Sequence, residues 1–223
     1  GEHDGASHSA EGGAEAIVER IEVMFDRLGT VHDRKYSERE AEIRRLIEQD
    51  DDGRGFERGH MLLGELLGYD AGNAESDGAP DPWWNVDGSL CLVFEDYSEA
   101  TEGTVLPVKK ARQAAGHPAW VKHHLSLDDD AEIIPILVTA ATRAKPGAVP
   151  HLRNVRYWAL SDFRRWANKA VQTVRELRKT YPGEGNLNWR AEAAKRLREE
   201  HVAPRQLLEM LQSTAAEAMQ EVP

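Results

Sequence analysis

The sequence predicts an α/β fold in which a short mixed β-sheet lies between helices. Three observations predict it. Asn85-Val86-Asp87-Gly88 places an Asp-Gly turn between two β-rich runs, a strong hairpin signal. Two more β-rich runs, 131–140 and 154–160, follow after a helical segment. Stretches with apolar residues at helical spacing flank these runs on both sides.

Residues 1–13 are Gly, Ser, His and acid, the composition of a disordered tail. Residues 14–28 carry Ile17, Ile21, Met24, Phe25 and Leu28 at helical spacing, and Gly29 suits the helix end. Ser37 and Glu40 form a capping box that opens a second helix to about Gln49. Together these make an N-terminal helical hairpin, 14–50. Asp50-Asp51-Asp52-Gly53 is a solvated acidic turn, because the later ligands of a calcium loop are missing. The next helix, 54–67, places Phe56, His60, Leu63 and Leu67 on one face, with Glu65 turned partly inward beside Leu62 and Leu66. Residues 68–77 are a connection with turn signals.

The hairpin 79–99 is the centre of the chain. Leu90, Leu92 and Phe94 point one way; Cys91, Val93, Glu95 and Tyr97 point the other. Both faces are apolar up to Glu95, so this strand is central and covered on both sides. Trp83 and Trp84 pack on opposite faces. Pro107 opens a helix that carries Lys109, Lys110, Arg112, Gln113, His117 and Trp120, with Gln113 and His117 on one face. His123-His124 and Asp128-Asp129-Asp130 belong to a surface loop. After the strand 131–140 comes a loop, 139–149, and the strand 154–160. Ser161-Asp162 caps a helix to about Lys179 with an apolar stripe of Phe163, Trp166, Ala170, Val174 and Leu177. A Pro-Gly break at 181–188 separates this core, 51–180, from a C-terminal extension, 181–223, of two helices, 189–200 and 204–219.

Charged residues make up 30% and hydrophobic residues 40%, as in globular proteins. No apolar run approaches the ~20 residues that span a bilayer. The first residues lack the apolar core of a signal peptide, and the single Cys91 lies in the central strand, which together point to a cytoplasmic setting. A net charge of −11 argues against a protein that coats nucleic acid. Between Arg143 and Lys179, however, basic residues outnumber the two acids Asp162 and Glu176; Arg143, Lys145, Arg164, Arg165 and Lys169, with Lys109, are the candidate phosphate contacts.

Glu95 ends a buried strand, where a carboxylate needs a partner or a metal. Asp81 on the neighbouring strand meets it there. Two converging carboxylates form a hard-oxygen site for Mg²⁺ or Mn²⁺.

Pro80-Asp81, the hairpin and Glu95-Asp96-Tyr97 resemble the PD-(D/E)xK nuclease motif. Glu65 resembles the acid on the helix before the hairpin, and Gln113 the glutamine on the helix after it. The nearest likeness is to restriction-endonuclease-like domains attached to bacterial DEAD/DEAH-box helicases, where the strand commonly ends Glu-Ala-Lys-Ser-Glu. The resemblance covers roughly residues 56–160. It implies a restriction-endonuclease-like core and a DNA nuclease working with a helicase in DNA processing or in defence against foreign DNA. Asp81 and Glu95 would bind Mg²⁺ (or Mn²⁺), Glu65 a second metal or a water, and Gln113 would position the site. The motif lysine is absent, because Tyr97 stands there. Three readings fit: a lysine supplied from elsewhere, with Lys109 or Lys110 as candidates; a fold that binds nucleic acid or protein without cutting; or an engineered change.

Overall fold

The structure, a computed structural model, describes residues 5–28, 34–49 and 53–222, with side chains from Gly13 onward. The acidic turn 50–52 lies outside the described residues. Helix α1 runs Gly5–Leu28 and α2 Arg34–Glu48. The first begins inside the stretch read as a disordered tail, since a nucleated helix propagates at little cost. Helix α3, Gly53–Leu66, leads into β1, Asp70–Gly72. Strands β2, Trp83–Asn85, and β3, Leu90–Tyr97, form the hairpin. Its turn is closed by Val86 donating to the Leu90 carbonyl, with Asp87 and Gly88 left-handed at φ 64° and 90°. Then come β4, Val105–Leu106, α4, Val108–His124, and β5, Glu132–Thr139. The chain continues through β6, Arg143–Ala144, the short α5, Val149–Leu152, β7, Arg156–Ala159, and α6, Leu160–Lys179. It closes with α7, Leu187–Glu199, α8, Pro204–Met210, α9, Ala215–Ala218, and β8, Gln220–Glu221.

The main sheet has the order β1-β2-β3-β5-β7. The first three strands form an antiparallel meander, and β3, β5 and β7 are parallel. The sheet is therefore mixed, and α4 is the crossover between β3 and β5. Leu90, Leu92 and Phe94 join one apolar cluster with α1, α2, α3, α6, α7 and α8. Cys91 and Val93 face the other way, against Val121 and Trp120 of α4. Burial drives the Cys91 thiol up to about 12, so it is an inert core residue. Trp84 is buried with Phe94 and Trp166, whereas Trp83 meets Trp120.

Other expectations change. Ser37 lies inside α2, which already runs from Arg34, so it does not open that helix. His123 and His124 end α4 rather than lie in a loop. Ile17, Phe25, Trp189, Leu197 and Leu207 of the N- and C-terminal helices share the cluster of Phe56 and Phe163. Ser161 and Asp162 do not cap α6; its N-cap is Ala159, without a side-chain hydrogen bond. The 204–219 segment is two short helices, because Thr214 and Glu217 make a capping box and restart the chain. Ala215 N–H then donates to the Val155 carbonyl. The loop 139–149 holds β6, which pairs in parallel with β4 and β8 in a second, three-stranded sheet. Pairings of two residues leave no readable alternation.

Candidate active site

Antiparallel pairing fixes the first two residues. Trp83 opposes Val93, Pro82 and Phe94 are joined by a backbone hydrogen bond of 2.9 Å, and Asp81 N–H donates to the Phe94 carbonyl at 2.7 Å. In this register Asp81 stands opposite Glu95. Glu95 itself is fully buried. It is held by α4, the crossover helix that leads from β3 to β5.

Lys110, in the first turn of α4, donates from Nζ to Glu95 Oε1 at 2.5 Å. The same ammonium lies 5.4 Å from the centre of the Tyr97 ring. Tyr97 on the strand thus supplies a ring beneath a lysine that comes from the helix. Burial pulls the Lys110 ammonium toward neutrality, but Glu95 and Asp81 more than offset this, and it is held above its ordinary value.

His117 occupies the other oxygen. Its Nε2 is 2.7 Å from Glu95 Oε2, and its Nδ1 is 3.1 Å from the Gly78 carbonyl. With Nδ1 facing the Gly78 carbonyl, Nε2 faces the Glu95 carboxylate. The ring, 1% exposed, locks Glu95 to the loop before the hairpin.

Around this knot the carboxylates crowd. Burial, then the Glu95 charge, raises Asp81 from 3.8 to about 6. Burial, then Asp81, raises Glu57 from 4.5 to about 7. Glu99 repels both. Next to Glu95, Asp96 points into the opposite layer and bonds His60 Nδ1 at 2.8 Å. Burial pushes Asp96 far up and His60 far down, which favours the uncharged form of each. This buried bond pins α3 to the end of β3. Glu57, one turn before His60, therefore arrives at the carboxylate cluster.

Glu57 takes the place expected of Glu65. Glu65 is instead 45% exposed and paired with Arg39 at 3.1 Å, away from the cluster. The two differ by eight residues on one helix, and only the His60–Asp96 register decides between them. Gln113, one turn from both Lys110 and His117, lines a hollow with Gly78, and its Oε1 is buried without a partner.

The expected phosphate contacts divide. Arg164 donates to the Ile47 and Gln49 carbonyls, Arg165 pairs with Asp162 and Lys169 with Glu200. All three sit on α6, across the sheet from α4, where Arg164 and Lys169 tie α6 to neighbouring elements and Arg165 pairs within the helix. Arg143 donates to the Gly103 carbonyl. Lys109 and Lys145 are exposed and lie on the α4 side.

Among the described residues no three His, Cys, Asp or Glu side chains come together to enclose a metal ion. Asp81 and Glu95 form a pair. That donor set suits Mg²⁺, which keeps several waters and takes one or two carboxylates plus substrate phosphate. Burial first, and neighbouring carboxylates second, raise Asp81 and Glu57, and a divalent cation would relieve the second of these causes. No family model, curated protein or solved structure matches this chain. Among the described residues no helix is long and apolar enough to cross a membrane.

Proposed function

We propose that the chain is a metal-dependent DNA nuclease domain with a restriction-endonuclease-like core, in which Lys110 supplies the cation missing at position 97. The observation that carries this reading is the Lys110 Nζ–Glu95 Oε1 contact beside Asp81. The order of elements supports it: an acid-bearing helix, an antiparallel meander, then a helical crossover to a parallel strand. Asp81 and Glu95 would hold Mg²⁺ or Mn²⁺, which supplies a more acidic bound water and positive charge at the phosphate. Lys110 steadies negative charge that develops beside Glu95. His117 orients Glu95, and the open Oε1 of Gln113 accepts a hydrogen bond from water or substrate. A cytoplasmic, helicase-linked role in DNA processing or defence against foreign DNA rests on the sequence resemblance and belongs to the same proposal.

The test is cleavage of single-stranded, linear and supercoiled DNA with Mg²⁺ or Mn²⁺, by this chain and by Asp81→Ala. Cleavage by the first and none by the second is expected. If neither cuts, the nuclease reading fails. A second reading, a fold that binds DNA without cutting, then takes its place. That reading draws support from the occupation of both Glu95 oxygens by Lys110 and His117.

A further inference from the structure

The acids are distributed unevenly. The chain has 39, yet residues 107–127 and 133–161 contain none. The fold brings parts of these two stretches onto one surface. Arg112 of α4 donates from Nε toward His151 Nε2 of α5 at 3.4 Å. On one side of this contact lies a hollow of about 440 Å³ lined by Lys109, Arg112 and Gln113. On the other lies a hollow of about 590 Å³ lined by His151, Arg153 and Asn154. Lys145 joins at the near end, where its backbone N–H donates to the Leu106 carbonyl just before α4. Lys109, Arg112, Lys145 and Arg153 are all exposed. None has a carboxylate partner among the described residues, in contrast with Arg165, Lys169 and Arg175 on α6.

We infer that Lys109, Arg112, Lys145 and Arg153 form a track for the DNA phosphate backbone, leading along α4 away from Lys110 and Glu95. The inference rests on the reading of the site as one that acts on DNA; it keeps Lys109 and Lys145 from the sequence candidates and replaces those on α6 with Arg112 and Arg153 on the α4–α5 face. Charge complementarity selects the occupant. A row of four cations without carboxylate partners among the described residues fits a polyanion. The first turn of α4 adds backbone N–H groups without a side-chain cap at the same end. Arg156 does not belong to the track: its guanidinium donates to the Gln212 carbonyl at 2.5 Å, and its charge acts on Glu217.

Each phosphate contact in duplex DNA contributes about −0.9 to the slope of log K against log salt, or roughly eightfold in affinity at 0.1 M salt. The experiment measures binding of a fluorescent DNA duplex in EDTA across a KCl series. It compares the chain with Arg112→Gln/Arg153→Gln and with Arg165→Gln/Lys169→Gln. The first variant is expected to weaken binding roughly 60-fold at 0.1 M KCl and to flatten the slope by about 2. The second is expected to stay within twofold. Both pairs are exposed, and circular dichroism confirms that the variants fold. Equal losses in both variants, an unchanged slope in the first, or no salt-dependent binding by the parent would overturn the track. Cleavage with Mg²⁺ separates the two ideas. Track-dependent binding without cleavage leaves the track and removes the nuclease; cleavage that is indifferent to Arg112 and Arg153 at limiting DNA does the reverse.

Discussion

Asp81→Asn should make the protein more stable while removing a group that the proposed cleavage needs. In the folded chain the Asp81 carboxyl is raised from 3.8 to about 6, first by burial and then by Glu95. The folded state therefore holds a proton more tightly than the unfolded state between these two values. Stability contributed by the protonated form is complete below about pH 4 and is lost as the pH rises through about 6. Each pH unit of displacement is worth about 1.4 kcal/mol, so the ionised carboxylate costs about 3 kcal/mol above pH 7. An amide removes that cost. At 2–4 °C per kcal/mol for a chain of this size, the melting temperature at pH 8 should rise by roughly 6–12 °C. At pH 4 the two proteins should melt together. Calorimetry at both pH values measures this. Lower stability of the variant at pH 8, or an equal gain at pH 4 and pH 8, would refute the account of Asp81 as a buried, repelled carboxylate.

Other consequences are measured as directly. Lys110→Met removes a charge-assisted hydrogen bond from a fully buried carboxylate, so urea unfolding should show a loss of about 1.5–3 kcal/mol. At limiting Mg²⁺, where the metal-free protein sets the profile, cleavage should fall as the pH drops through 7 toward 6, where Glu57 and then Asp81 take up protons, and Glu57→Gln should leave only the limb near 6. Glu65→Gln should leave cleavage unchanged and stability within about 1 kcal/mol, since it breaks only an exposed pair with Arg39. Gly64→Ala puts a Cβ 2.2 Å from Trp84 Nε1, on the layer opposite Lys110, and should cost about 1–3 kcal/mol in urea unfolding.

The hairpin was legible because its evidence is local. An Asp-Gly turn and a run with two-residue alternation specify register, and register alone sets Asp81 opposite Glu95. The apolar stripes of α3 and α6 were legible for the same reason. Glu57 was not, because the choice between Glu57 and Glu65 depends on how far α3 slides along the sheet. A long-range bond between His60 and Asp96 sets that slide. The basic face of α6 misled because a sequence shows cations without their partners, and Glu40 and Glu200 come from distant helices. The track on α4 and α5 left a trace in the two acid-free stretches. The Arg112–His151 contact that joins them spans the whole of β5. Lys110 could be named as a candidate from its place in the chain, but its reach to Glu95 over Tyr97 depends on where α4 begins.

The most direct measurement compares Mg²⁺-dependent DNA cleavage by the chain, by Lys110→Met and by Tyr97→Lys/Lys110→Met. The account predicts that the chain cuts and that the single variant loses about a hundredfold or more. It also predicts that a lysine restored to the strand recovers activity in the double variant. A Lys110→Met protein that cuts at the parent rate, or a double variant as inactive as the single one, would contradict the claim that Lys110 supplies the missing cation.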